Sequence, residues 1–228
     1  MEMREPEHGS KKKLLDATLK VVRTKGYAAT RIEDVCAEAG LTKGSFFHHF
    51  KSKDDLALSA VSYWDRFTTG FFAEAPYHAP DDPLDRLLAY VDFRISLIDG
   101  PLPEFTCFAG TLVQEIYETH EDIRKAGGKN ICDHAKTLER DIREAMRQYA
   151  VKGDWTAESL AVSIQSAIQG AFILAKATGS ATAAIQTLEH LRRYIELLFR
   201  GRQRPASRQL PKNKRAHLRA AAKVGEQG

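Results

Sequence analysis

A chain of 228 residues, 43% hydrophobic and 28% charged, is long and apolar enough for one or two domains with a buried core, which excludes a wholly disordered protein. The uncharged run Leu160 to Ala175 is interrupted by Ser163, Gln165, Ser166 and Gln169, which argues against a membrane span; residues 1–10 show no secretory h-region, and Cys36, Cys107 and Cys132 sit at no metal-ligand spacing, so a soluble protein of the reducing cytoplasm is expected, with no membrane partner. The formal charge of +4 is split into +4 over residues 1–53, −7 over 54–200 and +7 over 201–228, so basic ends flank an acidic body; such asymmetry suits an anionic polymer or surface, although charge alone does not separate that from a merely solvated head.

Residues 1–9 read as a loose arm. Ser10 is placed to cap a helix over 11–25, whose Leu14, Leu15, Ala17, Thr18, Val21 and Val22 recur at helical spacing until Gly26. Thr30 to Glu33 has the form of a capping box and predicts a second helix starting at Arg31 and ending at Gly40. Only Leu41 intervenes before Thr42, which caps a short third helix from Lys43 to Phe50. Ser52 to Asp55 is another capped start, opening a long helix with Leu56, Ala57, Ala60, Val61 and Trp64 inward. Helical periods then cover 83–99, 104–120, 121–151, 156–178 and 181–199, with breaks at Gly100 to Pro103, Lys152 to Asp154, and Gly179-Ser180. Strand-like alternation is missing, so the class is all-α. Beyond Arg200 apolar positions thin out, and a basic disordered tail is expected.

Three short helices with so tight a turn have the outline of a helix-turn-helix, whose second helix enters the major groove. Ordinary bundles use tight turns too, and spacing leaves both open. The residues go further. Within an ungapped stretch from Leu14 to Leu58, four features stand together: the Ala39-Gly40 turn, the Thr42-Lys43-Gly44 cap, Phe47 and Phe50 as aromatic-x-x-Phe, and Lys51-Ser52-Lys53 before the next helix. This segment resembles the DNA-binding head of the TetR family of bacterial transcriptional regulators.

That resemblance implies an N-terminal three-helix helix-turn-helix head over 10–55, a C-terminal helical ligand-binding and dimerisation body over 56–200, and the tail at 201–228. It implies a homodimer on a pseudo-palindromic double-stranded operator, a small-molecule effector and, in most such proteins, repression relieved by the ligand. An activator of the same fold, or a non-specific DNA binder using the tail, are the alternatives. An enzyme built on Glu115 and His120 is disfavoured, because residues five apart on a helix do not face one pocket, and no catalytic or cofactor motif is found.

In the head, Thr30 and Thr42 stand at predicted helix N-termini, where backbone N–H groups attract phosphate, so each hydroxyl is a cap, a phosphate donor or both. Lys43 and Ser45 are the first candidates for base-edge contact, and Gly44 lets the backbone approach closely. His48 suits a base or phosphate. Phe47 stands where the family usually has a tyrosine that meets a phosphate, and offers an apolar surface suited to a thymine methyl. Lys51 and Lys53 fit phosphates, and Arg31 fits either target. His48 and His49 point about 100° apart on a helix and suit no shared metal; His49 is expected against the first helix.

In the body, the resemblance implies a pocket, with Trp64, Phe67, Phe71, Tyr90, Phe93, Phe108, Thr111 and Phe172 as lining candidates against the alternative of plain core. Gln114, Glu115 and Gln169 are more telling, since buried polar groups need partners. Arg94 either neutralises an anionic ligand or pairs with Glu115. Cys107, in a stretch similar to a Gly-Cys-containing helix of some members but with Thr106 replacing the glycine, is a sensor candidate or an inert thiol. Ser163, Ala167, Gly170, Ala171 and Leu174 with Leu188, Leu191, Tyr194, Ile195 and Leu198 suit either a dimer interface or an internal core.

Overall fold

The computed structural model describes residues 9–201. Of the arm expected at 1–9, residues 1–8 lie outside the described residues and Gly9 already belongs to the first helix; of the basic tail expected at 201–228, residues 202–228 lie outside them. Helices α1 (Gly9–Lys25), α2 (Ile32–Ala39) and α3 (Lys43–His49) form the head, and α4 (Lys53–Ala73) leads out of it. The body follows as α5 (Pro83–Ser96), α6 (Leu102–Phe105), α7 (Phe108–Ile116), α8 (Glu121–Lys136), α9 (Glu139–Gln148), α10 (Ala157–Thr178) and α11 (Thr182–Arg200), with a 3₁₀ turn at Pro76–His78 before α5. All the regular structure among the described residues is helical.

Local chemistry sets several of these boundaries. Thr42 Oγ1 accepts the Ser45 N–H at 3.2 Å, and Ser52 Oγ accepts that of Asp55 at 3.1 Å, each closing the first turn of its helix. Asp82 caps α5 through the Leu84 and Asp85 N–H groups, with Pro83 at the first helical position. Gly40 ends α2 at φ 64°, a left-handed conformation that costs a side-chain-bearing residue about 1–2 kcal/mol. The Leu41 N–H then bonds back to the Cys36 carbonyl at 2.9 Å, turning the chain directly into α3.

Four sequence expectations shift. The second helix begins at Ile32, not Arg31, because Asp34 rather than Thr30 closes its start: the Asp34 carboxylate accepts the Arg31 N–H at 2.7 Å. The period read over 104–120 is two helices, because Thr106 is extended and Cys107 caps a new helix, its Sγ accepting the Gly110 N–H at 3.2 Å. The period over 121–151 divides at Thr137-Leu138. There the N–H groups tighten to residues three back, and the Thr137 hydroxyl takes the His134 carbonyl at 2.7 Å. Ser10, expected as a cap, lies inside α1.

Two apolar clusters organise the chain. One gathers Leu14, Leu15, Val22, Val35, Phe46, Phe50, Leu56 and Val61 of the head and α4 with Phe108, Leu112 and Ile116 of α7, so the head's core reaches past residue 55 into the body. The other packs Leu87, Leu88 and Val91 of α5 with Ile142 of α9, Ile164 and Ile168 of α10, and Leu188 and Ile195 of α11. Against the sequence expectation, α10 is by length and composition apolar enough to cross a membrane, but Ala161, Ile164, Ile168 and Ala171 direct that character into this core.

Candidate DNA-reading face and body cavity

The head places α3 over two fully buried rings. Phe46 and Phe50, 0% and 2% exposed, anchor its inner side, and the opposite side turns outward. That outer side carries Lys43, Gly44, Phe47 and His48, with Thr42 and Lys51 at its ends and Arg31 on the adjoining cap of α2, all exposed; Ser45 is half-buried. Phe47 is 57% exposed, high for an aromatic ring. A Cβ added at Gly44 would meet only Thr42 Oγ1, at 3.6 Å, so nothing inside the chain requires glycine there. Lys43 is ion-paired with Glu33, whose carboxyl titrates below its usual range chiefly because of that contact. Lys43 must exchange this partner to meet an anion. His49 reaches Ser10 of α1, Nε2 to Oγ, at 2.6 Å.

Two predicted DNA contacts point elsewhere. Thr30 is 2% exposed, and its hydroxyl donates to the Gly26 carbonyl at 2.5 Å, because the loop before α2 folds inward. Lys53 donates to the Tyr27 and Thr30 carbonyls at 3.1 and 3.2 Å and lies 4.2 Å from the centre of the Tyr27 ring. It clasps the loop 26–30 to α4. Tyr27 in turn hydrogen-bonds Asp54, and burial together with that carboxylate holds its phenol protonated.

In the body, a cavity of about 230 Å³ opens between α4, α5, the α6–α7 break, α8 and α10. Of the predicted lining residues, Trp64, Phe67, Phe71, Arg94, Cys107, Gln169 and Phe172 reach it. A smaller neighbour of about 170 Å³ holds Thr111, Gln114 and Glu115, with Lys176 against Thr111 Oγ1 at 2.8 Å. Thr106, Cys107, Gln169 and Phe172 line both cavities. Tyr90 and Phe108 line neither: they are 1% and 0% exposed and belong to the two cores, because each sits on the packed side of its helix. Phe93 likewise packs on the body core.

Arg94 does not pair with Glu115. Its guanidinium lies over the rings of Phe72 and Phe172, at 5.1 and 5.6 Å, while Glu115 accepts the Ala28 N–H at 3.0 Å. Glu115 also lies against Gly26, whose φ of 83° favours glycine; an added Cβ there would push the Glu115 carboxylate aside. His120 is engaged with Thr119 and Asp54.

The cavity residues that the sequence reading passed over are the polar ones. His134 bonds the Tyr90 hydroxyl at 2.8 Å and is kept neutral by burial, its pKa pushed down to about 3 with the Arg94 charge acting in the same direction. Thr106 and Gln165 are buried, and neither Thr106 Oγ1 nor Gln165 Oε1 has a hydrogen-bond partner among the described residues. Arg23 of α1 was also missed. It donates to the carbonyls of Glu104 and Thr106 at 3.1 and 3.4 Å and lies 5.3 Å from the ring of Trp64, so the head's first helix is fastened to two sides of the cavity wall.

The expected dimer stripe is divided. Ala171, Leu188, Leu191 and Ile195 are buried within the chain's own core, because α10 and α11 pack on each other and on α5 and α9 through that side. The outward side of the pair carries Val162, Ile173 and Leu174 of α10 and Tyr194 and Leu197 of α11, between 47% and 68% exposed.

Comparison with known proteins gives two matching family models: bacterial regulatory proteins of the tetR family over residues 14–60, and a tetracyclin repressor-like C-terminal domain over 83–191. An HTH-type transcriptional regulator encoded in the lacX 3′ region of Lactococcus lactis is 28% identical over 169 residues, 74% of this chain and 84% of that one. The transcriptional regulator AcuR of Cereibacter sphaeroides is 25% identical over 72% of this chain and 74% of its own. A TetR-family regulator from Agrobacterium tumefaciens shares the fold with a TM-score of 0.72 at 22% identity, over 81% of this chain and 96% of the other.

Proposed function

We take as premise that the chain belongs to the tetR family of bacterial regulatory proteins, and is therefore a helix-turn-helix transcriptional regulator, and propose that it acts as a homodimeric repressor released from its operator by a small molecule. The observation that carries the reading is the exposed side of α3, held by two buried phenylalanines and bearing Lys43, Phe47 and His48 outward. In this reading Lys43 and Ser45 face base edges, Phe47 meets a thymine methyl, and Arg31, Thr42, His48 and Lys51 hold the phosphates. Thr30 and Lys53 serve indirectly, by fixing the loop that sets the angle of α2. The apolar outer side of α10 and α11 is covered by the same side of a second copy, and a two-fold dimer asks for two half-sites. Repression rather than activation is favoured by one relative, 23% identical over 72% of this chain, the HTH-type transcriptional repressor DhaR of a Mycobacterium species.

The effector occupies the 230 Å³ cavity. Its route to DNA runs through Arg23, because a ligand that shifts the Thr106 backbone or Trp64 shifts the anchorage of α1. A ligand moves this equilibrium only by its differential affinity for the two head positions. The test is a titration with DNA from upstream of the gene against shuffled DNA at fixed salt. The intact protein should prefer the upstream DNA by about 10³-fold or more. Lys43→Ala should shrink that ratio, and Lys51→Ala should weaken both DNAs alike. Equal affinity of the intact protein for the two DNAs would end this reading.

A further inference from the structure

The chemistry of the effector follows from the groups the cavity leaves unmet, and this inference rests on the cavity being the effector site. Thr106 is 1% exposed and Gln165 is 7% exposed, yet Thr106 Oγ1 and Gln165 Oε1 have no hydrogen-bond partner among the described residues, and both residues line the cavity. Buried polar atoms are nearly always paired, so two orphans on one cavity wall mark places a ligand completes. Arg94 adds a third unmet group. Its guanidinium makes ring contacts only, with no hydrogen bond or ion pair among the described residues, although it offers five donors. Among the described residues it is the one cation lining this cavity, since burial keeps the neighbouring His134 neutral. Trp64, Phe67 and Phe71 of α4 supply rings to the wall, beside the aliphatic Leu97, Ile98 and Ile131.

We propose that the effector is an aromatic monocarboxylate bearing a hydroxyl or amino donor, its carboxylate on Arg94, its ring against the aromatic wall, and its donor on Gln165 Oε1. A guanidinium fork matches a carboxylate in two parallel hydrogen bonds. A dianion such as a phosphate monoester fits poorly, because one cation faces the space and Glu104 on the same wall repels a second negative charge. Size agrees. A dry cavity of about 150 Å³ takes benzene, and the 230 Å³ here leaves room for a ring with a short acid arm and one small substituent.

The test is calorimetric titration of the full-length protein, without DNA, with trans-4-hydroxycinnamate and 4-hydroxyphenylacetate, each beside its methyl ester, and with unsubstituted cinnamate. At least one of the two hydroxy acids should bind about 10- to 100-fold more tightly than its ester, the step expected for one charge-assisted contact. Arg94→Gln should abolish that preference and Arg94→Lys keep part of it. Gln165→Leu should bring 4-hydroxycinnamate down to cinnamate. Should Arg94→Gln fail to fold, the acid-to-ester ratio of the unaltered protein and of Arg94→Lys decides the matter. Esters binding as tightly as acids, or neither hydroxy acid binding, would overturn the assignment. Because this titration contains no DNA, it is independent of release: an acid that binds here yet leaves operator affinity unchanged in a separate DNA titration upholds the ligand class while defeating release as the mechanism.

Discussion

The head pairs its buried polar side chains throughout, whereas the body pairs Asp141, Asn130 and Thr111 but leaves two such groups unmet where its cavity opens. In the head, Thr18 donates to the Leu14 carbonyl at 2.7 Å, Thr30 to Gly26 at 2.5 Å, and Ser10 meets His49 at 2.6 Å. Lys53 caps two loop carbonyls from above. In the body, Thr106 and Gln165 are left unmet around a cavity, and Arg94 rests on rings alone. A reader of DNA gains from being rigid before it meets its partner, since ordering it on binding would weaken affinity. A sensor gains from being incomplete, since the ligand then contributes interactions that the empty protein lacks. Arg23 spans the two, fixed to the head by α1 and to the cavity wall by the Thr106 carbonyl.

This contrast is broken most severely at the head's own anchor. Phe46 is fully buried beneath the exposed side of α3, so Phe46→Ala should cost about 3–5 kcal/mol in urea unfolding and remove sequence-specific binding even where the body stays folded. A smaller effect comes from acid. His134 titrates near 3 in the fold, facing the Tyr90 hydroxyl, the Phe72 ring and Arg94, and near 6.5 when unfolded. Between those values the unfolded chain takes up a proton that the fold refuses. Stability therefore falls as pH drops below about 6.5, by on the order of 1 kcal/mol per pH unit from this group. Other groups titrate in the same range, so the check is the difference in slope between the unaltered protein and His134→Gln, which should be flatter. The smallest effect is the most discriminating. Thr30→Val strips a satisfied hydroxyl and should cost about 1 kcal/mol, whereas Thr106→Val removes an unsatisfied one and should be neutral or stabilising by up to about 1 kcal/mol. Paired thermal melts measure both, and equal losses would erase the distinction drawn between the two regions.

The parts of the molecule that short-range chemistry controls were readable in the sequence. Thr42, Ser52 and Gly40 act within three or four residues of themselves, so the turn and the placing of α3 follow from local spacing. Thr30 and Lys53 were misdirected because their partners are set by the fold of the loop at Tyr27, 26 residues before Lys53. In the body, the break at Thr106-Cys107 was hidden because Leu102, Phe105, Ala109 and Leu112 keep an apolar helical period across it. Tyr90 and Phe108 looked like pocket residues because aromatic residues serve cores and pockets alike, and only packing separates them. Gln165 did leave a trace: it shares a helical stripe with Ala161 and Ile168, where an amide is out of place unless something meets it.

The exposed side of α3 as the reader of DNA is tested most directly by selecting binding sites from random duplexes with the intact protein and with Lys43→Ala in parallel. The account predicts that the intact protein enriches one two-fold symmetric site, and that the variant loses preference at the same position in both half-sites. Enrichment of no sequence, or an identical site for both proteins, would contradict it.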